Sequence, residues 1–210
     1  MPLRGLLVAP AQHADAAAAV VCVLVHPWGY LGGSQANMLP YAHQLAGSHG
    51  LECLLFNLRG VGDSGGRATL RCADEVDDVI GACEWVEANR AKHIVLVGAS
   101  AGAAVAGSAL DQVPAAKGLV AIGYTFGWCS SLVLGAHYAA VLASPKPKCF
   151  IMGTSDGFTR QVDCNDVSAQ MCNVLPQRRP ARISSAQHAA CDDAAHAGRG
   201  PLHLGTQPLR

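Results

Sequence analysis

The 210 residues carry 15 basic and 15 acidic side chains, so the formal net charge is zero, and half are hydrophobic while only 14% are charged. That balance gives no reason to expect nucleic acid or an acidic membrane as partner, and the length suits one domain with a substantial core. The nine cysteines include no C-x-x-C pair and several sit in apolar runs, so they read as reduced core residues, neither staples nor zinc ligands.

In chain order, Leu6 to Ala9 reads as a short edge strand, followed by a polar turn around Gln12 to Asp15. Ala19 to Val25 shows no alternation and reads as a strand buried on both faces. The apolar run from Ala16 is preceded by His13 and Asp15 instead of a basic segment, and it is far shorter than the ~18 residues of a membrane span. The cytoplasm is therefore the expected address.

A helix is expected over Asn37 to Ala46, ended by Gly47 to Gly50. Leu51 to Leu58 is the next strand, with the glycine-rich loop Arg59 to Gly66 at its end. Residues 70 to 91 carry the clearest helical period, with Val76, Val79, Ile80, Cys83 and Val86 on one face. Asp74, Glu75, Asp77 and Asp78 crowd its start, which the helix dipole favours, and read as a solvated face instead of a metal cluster.

His93 to Val97 begins another buried strand, followed by Gly98-Ala99-Ser100-Ala101-Gly102 and a small-residue segment able to wind as a helix. Gly118 to Ile122 is a strand, Ser130 to Leu142 a helix and Cys149 to Met152 a last buried strand. Strands alternating with helices over 19 to 152 predict an α/β fold: a mostly parallel sheet, helices on both faces, and a site at the carboxyl ends of the strands. No aromatic residue follows Phe158, no Lys follows Lys148 and no Glu follows Glu87. The chain therefore divides into a core over 1–159 and an atypical, poorly ordered tail over 160–210.

Gly98-x-Ser100-x-Gly102 has the pattern of a nucleophile elbow. A serine in a strained strand-to-helix turn needs small residues two positions either side, and the strain lifts its hydroxyl above the sheet. The amide of Ala101, backed by the helix N-terminus, points at the same space and suits an oxyanion. The pattern alone is weak evidence; its place at the junction of a buried strand and a helix makes it much stronger.

Four motifs in order, His26-Pro27-Trp28-Gly29, Arg59-Gly60-x-Gly62-x-Ser64, Gly98-x-Ser100-x-Gly102 and Gly153-Thr154-Ser155-Asp156, resemble the α/β-hydrolase fold. The chain is most similar to its small, lid-poor, dienelactone-hydrolase-like members, although dienelactone hydrolases proper carry a cysteine at the elbow. The resemblance implies a carboxylesterase-like serine hydrolase, with Ser100 as nucleophile and Asp156 as the acid that orients a histidine. The loop after His26 would supply a second oxyanion donor. Pro27 has no N–H, so that donor falls to Trp28, with Gly29 as the fallback. His26 reads as a hydrogen-bonded loop histidine and His137 as a packing or rim residue. Arg59 to Gly66 lacks the Gly-Lys-Ser/Thr ending of a phosphate loop and reads as a structural turn.

The resemblance places the base after one further strand and follows it with a covering helix; here that strand and helix read as missing or replaced. His188, His196 and His203 are the downstream candidates, and His188, 32 residues beyond Asp156, has the most suitable separation. Two readings follow. One is a hydrolase that cleaves a small acyl substrate through an acyl-serine intermediate, with no metal or cofactor required. The other is a catalytically incompetent, truncated or frame-shifted relative acting as an interaction module. The sequence leaves the oligomeric state open.

Overall fold

The computed structural model describes residues 1–10, 18–125, 128–153 and 174–176, with the backbone alone at 128–132 and 174–176. In chain order the elements are β1 (Gly5–Val8), β2 (Val21–Val25), α1 (Leu39–His49), β3 (Glu52–Phe56), α2 (Glu75–Asn89), β4 (Ile94–Ala99), α3 (Ala101–Ala109), β5 (Ala116–Ile122), α4 (Trp128–Ala143), β6 (Lys148–Met152) and β7 (Val174–Pro176). The strands form one sheet in the order β1-β3-β2-β4-β5-β6-β7. Only β1 runs antiparallel, along β3; every other pairing is parallel.

β2 and β3 are buried at all five positions each, which is why their sequences show no alternation. Successive side chains feed two separate apolar layers. Val21, Val23 and Val25 pack with Leu54, Phe56 and Leu96 in the layer that includes Val79 and Val86 of α2 and Ala103 and Ala106 of α3. Cys22 and Leu24 pack with Cys53, Leu55 and Val97 against Met38 and Ala42 on the α1 side. Cys22, Cys53, Cys72 and Cys83 are buried free thiols. Burial pushes Cys72 and Cys83 up to about 12, which keeps them protonated and inert.

α1 and α2 differ most from their expected bounds. α1 runs through Gly47 to His49, and Gly50 alone ends it, in the left-handed region at φ +65° with its N–H on the Leu45 carbonyl. α2 starts at Glu75, not 70, because residues 69 to 72 form a turn. The Glu75 carboxylate accepts both the N–H of Thr69, at 2.6 Å, and its hydroxyl.

The acids at the start of α2 are also more than a solvated face. Glu75 and Asp78 are both only 3% exposed. Asp78 is paired with the Arg59 guanidinium at 2.8 Å and accepts the Arg59 N–H at 2.8 Å. Arg59 to Gly66 is thus a structural turn. Ser64 completes it by accepting the N–H of Arg4 and donating to the Asn57 carbonyl.

β7 pairs with β6 over three residues, Phe150, Ile151 and Met152, so a short strand stands where the sequence suggested one was missing or replaced. Asp156 and His188, and His196 and His203 with them, lie outside the described residues. Among the described residues no helix is long and apolar enough to cross a membrane.

The order of strands fixes where a site can form. From β2 the chain moves outward to β3 through α1, then returns past β2 to β4. The connections leaving β2 and β4 therefore part to opposite sides and open a crevice at their carboxyl ends.

Candidate active site

Ser100 stands at the tip of β4, where φ +53° and ψ −125° place a non-glycine residue in a region that a type II′ turn reserves for glycine. Two backbone bonds hold it there: its N–H donates to the Ile122 carbonyl at 2.8 Å, and its own carbonyl accepts the Ala103 N–H at 3.0 Å. Ser100 is partly exposed, and its hydroxyl has no hydrogen-bond partner among the described residues.

The flanking glycines are explained by contact. A Cβ on Gly98 would lie 2.4 Å from the Ala103 Cα, and one on Gly102 would lie 2.2 Å from the His26 carbonyl oxygen. The second contact matters more for the site, since it presses the first turn of α3 onto the end of β2. The helix is made of small residues for the same reason, and a Cβ on Gly107 would meet Val141 of α4 at 2.1 Å.

His26 opens the loop after β2 and is fully buried. Its Nε2 accepts the Leu58 N–H at 3.1 Å, which leaves the proton on Nδ1 to donate to the Pro27 carbonyl at 2.6 Å. Burial holds the imidazole below its usual pKa, against the weaker opposing pull of the Pro27 bond. His26 is therefore a neutral strut between the ends of β2 and β3, with neither nitrogen free to act as a base.

That strut sets the next residues. The Trp28 carbonyl accepts the N–H groups of Leu31 and Gly33, each at 3.0 Å, and folds the loop back on itself. The Trp28 N–H has no partner among the described residues, and Ala101, as first residue of α3, has no intrahelical acceptor for its own. Trp28, Ala101 and Gly102 line one small cavity of about 10 Å³ together with Ala68, Cys72 and Glu75. Two amides without partners among the described residues thus belong to residues that line this cavity, one after β2 and one at the start of α3.

The sequence profile of the alpha/beta hydrolase family matches residues 22–205. The chain belongs to the alpha/beta hydrolase family. Solved structures of low identity share the fold of this α/β hydrolase. A serine hydrolase homologue from Coxiella burnetii is 19% identical, with 94% of this chain and 92% of that one covered at a TM-score of 0.68. A lid-less α/β serine hydrolase from Xanthomonas campestris is 22% identical, covering 95% and 91% at 0.68. An esterase from Pyrococcus furiosus is 19% identical, covering 94% and 90% at 0.64. No curated protein matches the chain by sequence.

Within this α/β hydrolase the described structure brings Gly98, Ser100, Ala101, Gly102 and Trp28 to one end of the sheet. His137 is elsewhere. It is buried in α4, where its Nδ1 shares a hydrogen bond with the Ser108 hydroxyl at 2.7 Å and its Nε2 donates to the Arg71 carbonyl at 2.7 Å. It ties α3 and α4 to the turn before α2. Sequence reasoning missed that turn altogether: Cys72 takes a left-handed φ of +51°, and nothing in its neighbours announces it.

Proposed function

We propose that this α/β hydrolase is a serine hydrolase that cleaves an ester or related acyl bond. The observation that carries the reading is the strained backbone of Ser100, supported by the amides of Ala101 and Trp28, which have no partner among the described residues and belong to residues lining one cavity. Strain of this kind persists where the surrounding structure enforces it, and here it holds a hydroxyl with no partner among the described residues at the carboxyl end of β4.

In the proposed reaction the Ser100 oxygen attacks the acyl carbon as its proton passes to a histidine, for which His188 is the candidate of most suitable separation from Asp156, the acid that would orient it. The carbonyl oxygen, now negative, is held by the Ala101 and Trp28 amides. The histidine returns the proton to the departing alcohol or thiol, leaving an acyl-serine. Water then repeats the sequence on that intermediate and releases the acid. His26 and His137 have both ring nitrogens engaged and take no part in proton transfer.

A fluorophosphonate probe tests this. The wild-type protein is expected to be labelled, and Ser100→Ala to abolish labelling while retaining the wild-type circular dichroism. Folded protein that resists the probe would overturn the reading in favour of a non-catalytic interaction module.

A further inference from the structure

The rim of the crevice is apolar and cationic at once. Tyr30 and Leu31, in the loop after β2, are 54% and 74% exposed, and Leu70, in the turn before α2, is 59% exposed. Single exposed apolar side chains need no explanation, but these come from two segments that the structure joins. The Tyr30 hydroxyl donates to the Ala68 carbonyl at 2.9 Å, and Trp28 packs edge-on against the Tyr30 ring at 5.8 Å.

Flanking Leu70 are Arg67 and Arg71, both exposed and neither in an ion pair among the described residues. The turn that carries Leu70 and Arg71 is held by several bonds, and Arg67 stands two residues before it. Thr69 is bonded to Glu75, the Cys72 N–H to the Thr69 carbonyl at 3.2 Å, and the Arg71 carbonyl to His137 at 2.7 Å. Cys72 is in the left-handed region, and Arg71 accepts a bond from the buried His137 on its carbonyl while remaining exposed. Two residues of the same segment, Ala68 and Cys72, line the cavity that Ala101 and Gly102 share, so the rim begins beside the serine turn.

We infer that this rim is a substrate-selecting surface for acyl compounds that combine an apolar chain with an anionic group, the chain lying on Tyr30, Leu31 and Leu70 and the anion meeting Arg67 and Arg71. The inference rests on the hydrolase reading and deepens it. A soluble, monomeric substrate fits better than a lipid surface, since three side chains on short loops and two cations fall well short of stable membrane anchoring.

The test compares two p-nitrophenyl esters of the same chain length, the neutral hexanoate and the half-ester of adipic acid, which ends in a carboxylate. The anion-to-neutral ratio of kcat/KM is expected to fall about three- to tenfold in Arg67→Gln/Arg71→Gln, the range of two exposed guanidinium–carboxylate pairs. High salt is expected to shrink the wild-type ratio in the same direction. Lys92→Gln, an exposed cation before β4 at the opposite end of the sheet, removes charge without touching the rim and is expected to keep the ratio.

Decanoate binding to Ser100→Ala, followed by calorimetry, gives a second readout that does not depend on turnover. Binding that is weakened by the double Arg substitution supports the surface even if neither ester is cleaved, in which case the hydrolase reading alone fails. An unchanged ratio, or decanoate bound equally with and without the two arginines, overturns the inference. So does adhesion to phosphatidylglycerol vesicles without discrimination between the soluble esters.

Discussion

Replacing Ser100 by glycine and by alanine separates the geometry of the turn after β4 from the chemistry proposed for it. Both variants lose the hydroxyl, so neither should react with a fluorophosphonate. They differ only in a Cβ held at φ +53° and ψ −125°. A side chain in such a region costs about 1–3 kcal/mol, and alanine keeps that strain while glycine releases it. Glycine gives back about 0.4–1 kcal/mol through the greater freedom of its unfolded chain. The difference leaves Ser100→Gly more stable than Ser100→Ala by roughly 0.5–2 kcal/mol. In urea, with a slope of about 2 kcal/mol per molar, that moves the midpoint by roughly 0.3–1 M. A thermal melt should show the same order, separated by several degrees at about 2–4 °C per kcal/mol. If alanine proves as stable as glycine or more so, position 100 is not strained and the argument for an elbow loses its physical basis.

Glycine substitutions and pH probe other parts of the same structure. Gly102→Ala sets a Cβ 2.2 Å from the His26 carbonyl oxygen, whereas at Gly81, in α2, a Cβ would meet nothing within 4 Å. The first is expected to lower stability by about 1–3 kcal/mol and to slow fluorophosphonate labelling about a hundredfold, and the second to stabilise by about 0.5–1 kcal/mol at an unchanged labelling rate. His26 is held neutral by burial, so its folded pKa lies below the 6.5 of the unfolded chain. The unfolded state then binds more protons, and the stability this group contributes is full above pH 6.5 and lost as pH falls toward the lowered folded value. Denaturation curves between pH 7.5 and 5 should show that fall, and His26→Gln should flatten it; an equal slope in both proteins would assign the fall to other groups.

Local features were legible in the sequence and distant ones were not. The tight turn from β4 to α3 could be read because Gly98, Ser100 and Gly102 meet their steric demands within a few residues of chain, apart from the His26 carbonyl that Gly102 approaches. The parallel strands could be read because burial on both faces leaves unbroken apolar runs at Val21–Val25 and Ile94–Val97. Asp78 and Glu75 were misread, since a run of acids at a helix start looks solvated until Arg59 and Thr69 are folded back onto it from the preceding loop. His26 was read correctly as a bonded loop residue, but its partner Leu58, 32 residues away, carries no mark in the sequence. The role proposed for Asp156 rests on the family resemblance and that for His188 on its spacing from Asp156, because both lie outside the described residues.

The small-residue composition of α3 has a consequence for how this protein can vary. Alanine and glycine fill nearly every position from Ala101 to Gly107, all buried, so only Val105 has appreciable bulk to shed. Almost any replacement there adds atoms and levers the helix off the sheet, dragging the Ala101 amide away from the serine with it. Mutational drift along this segment is therefore penalised twice for a single displacement, and sequence divergence is channelled toward α1 and α2, whose outer faces are free to change.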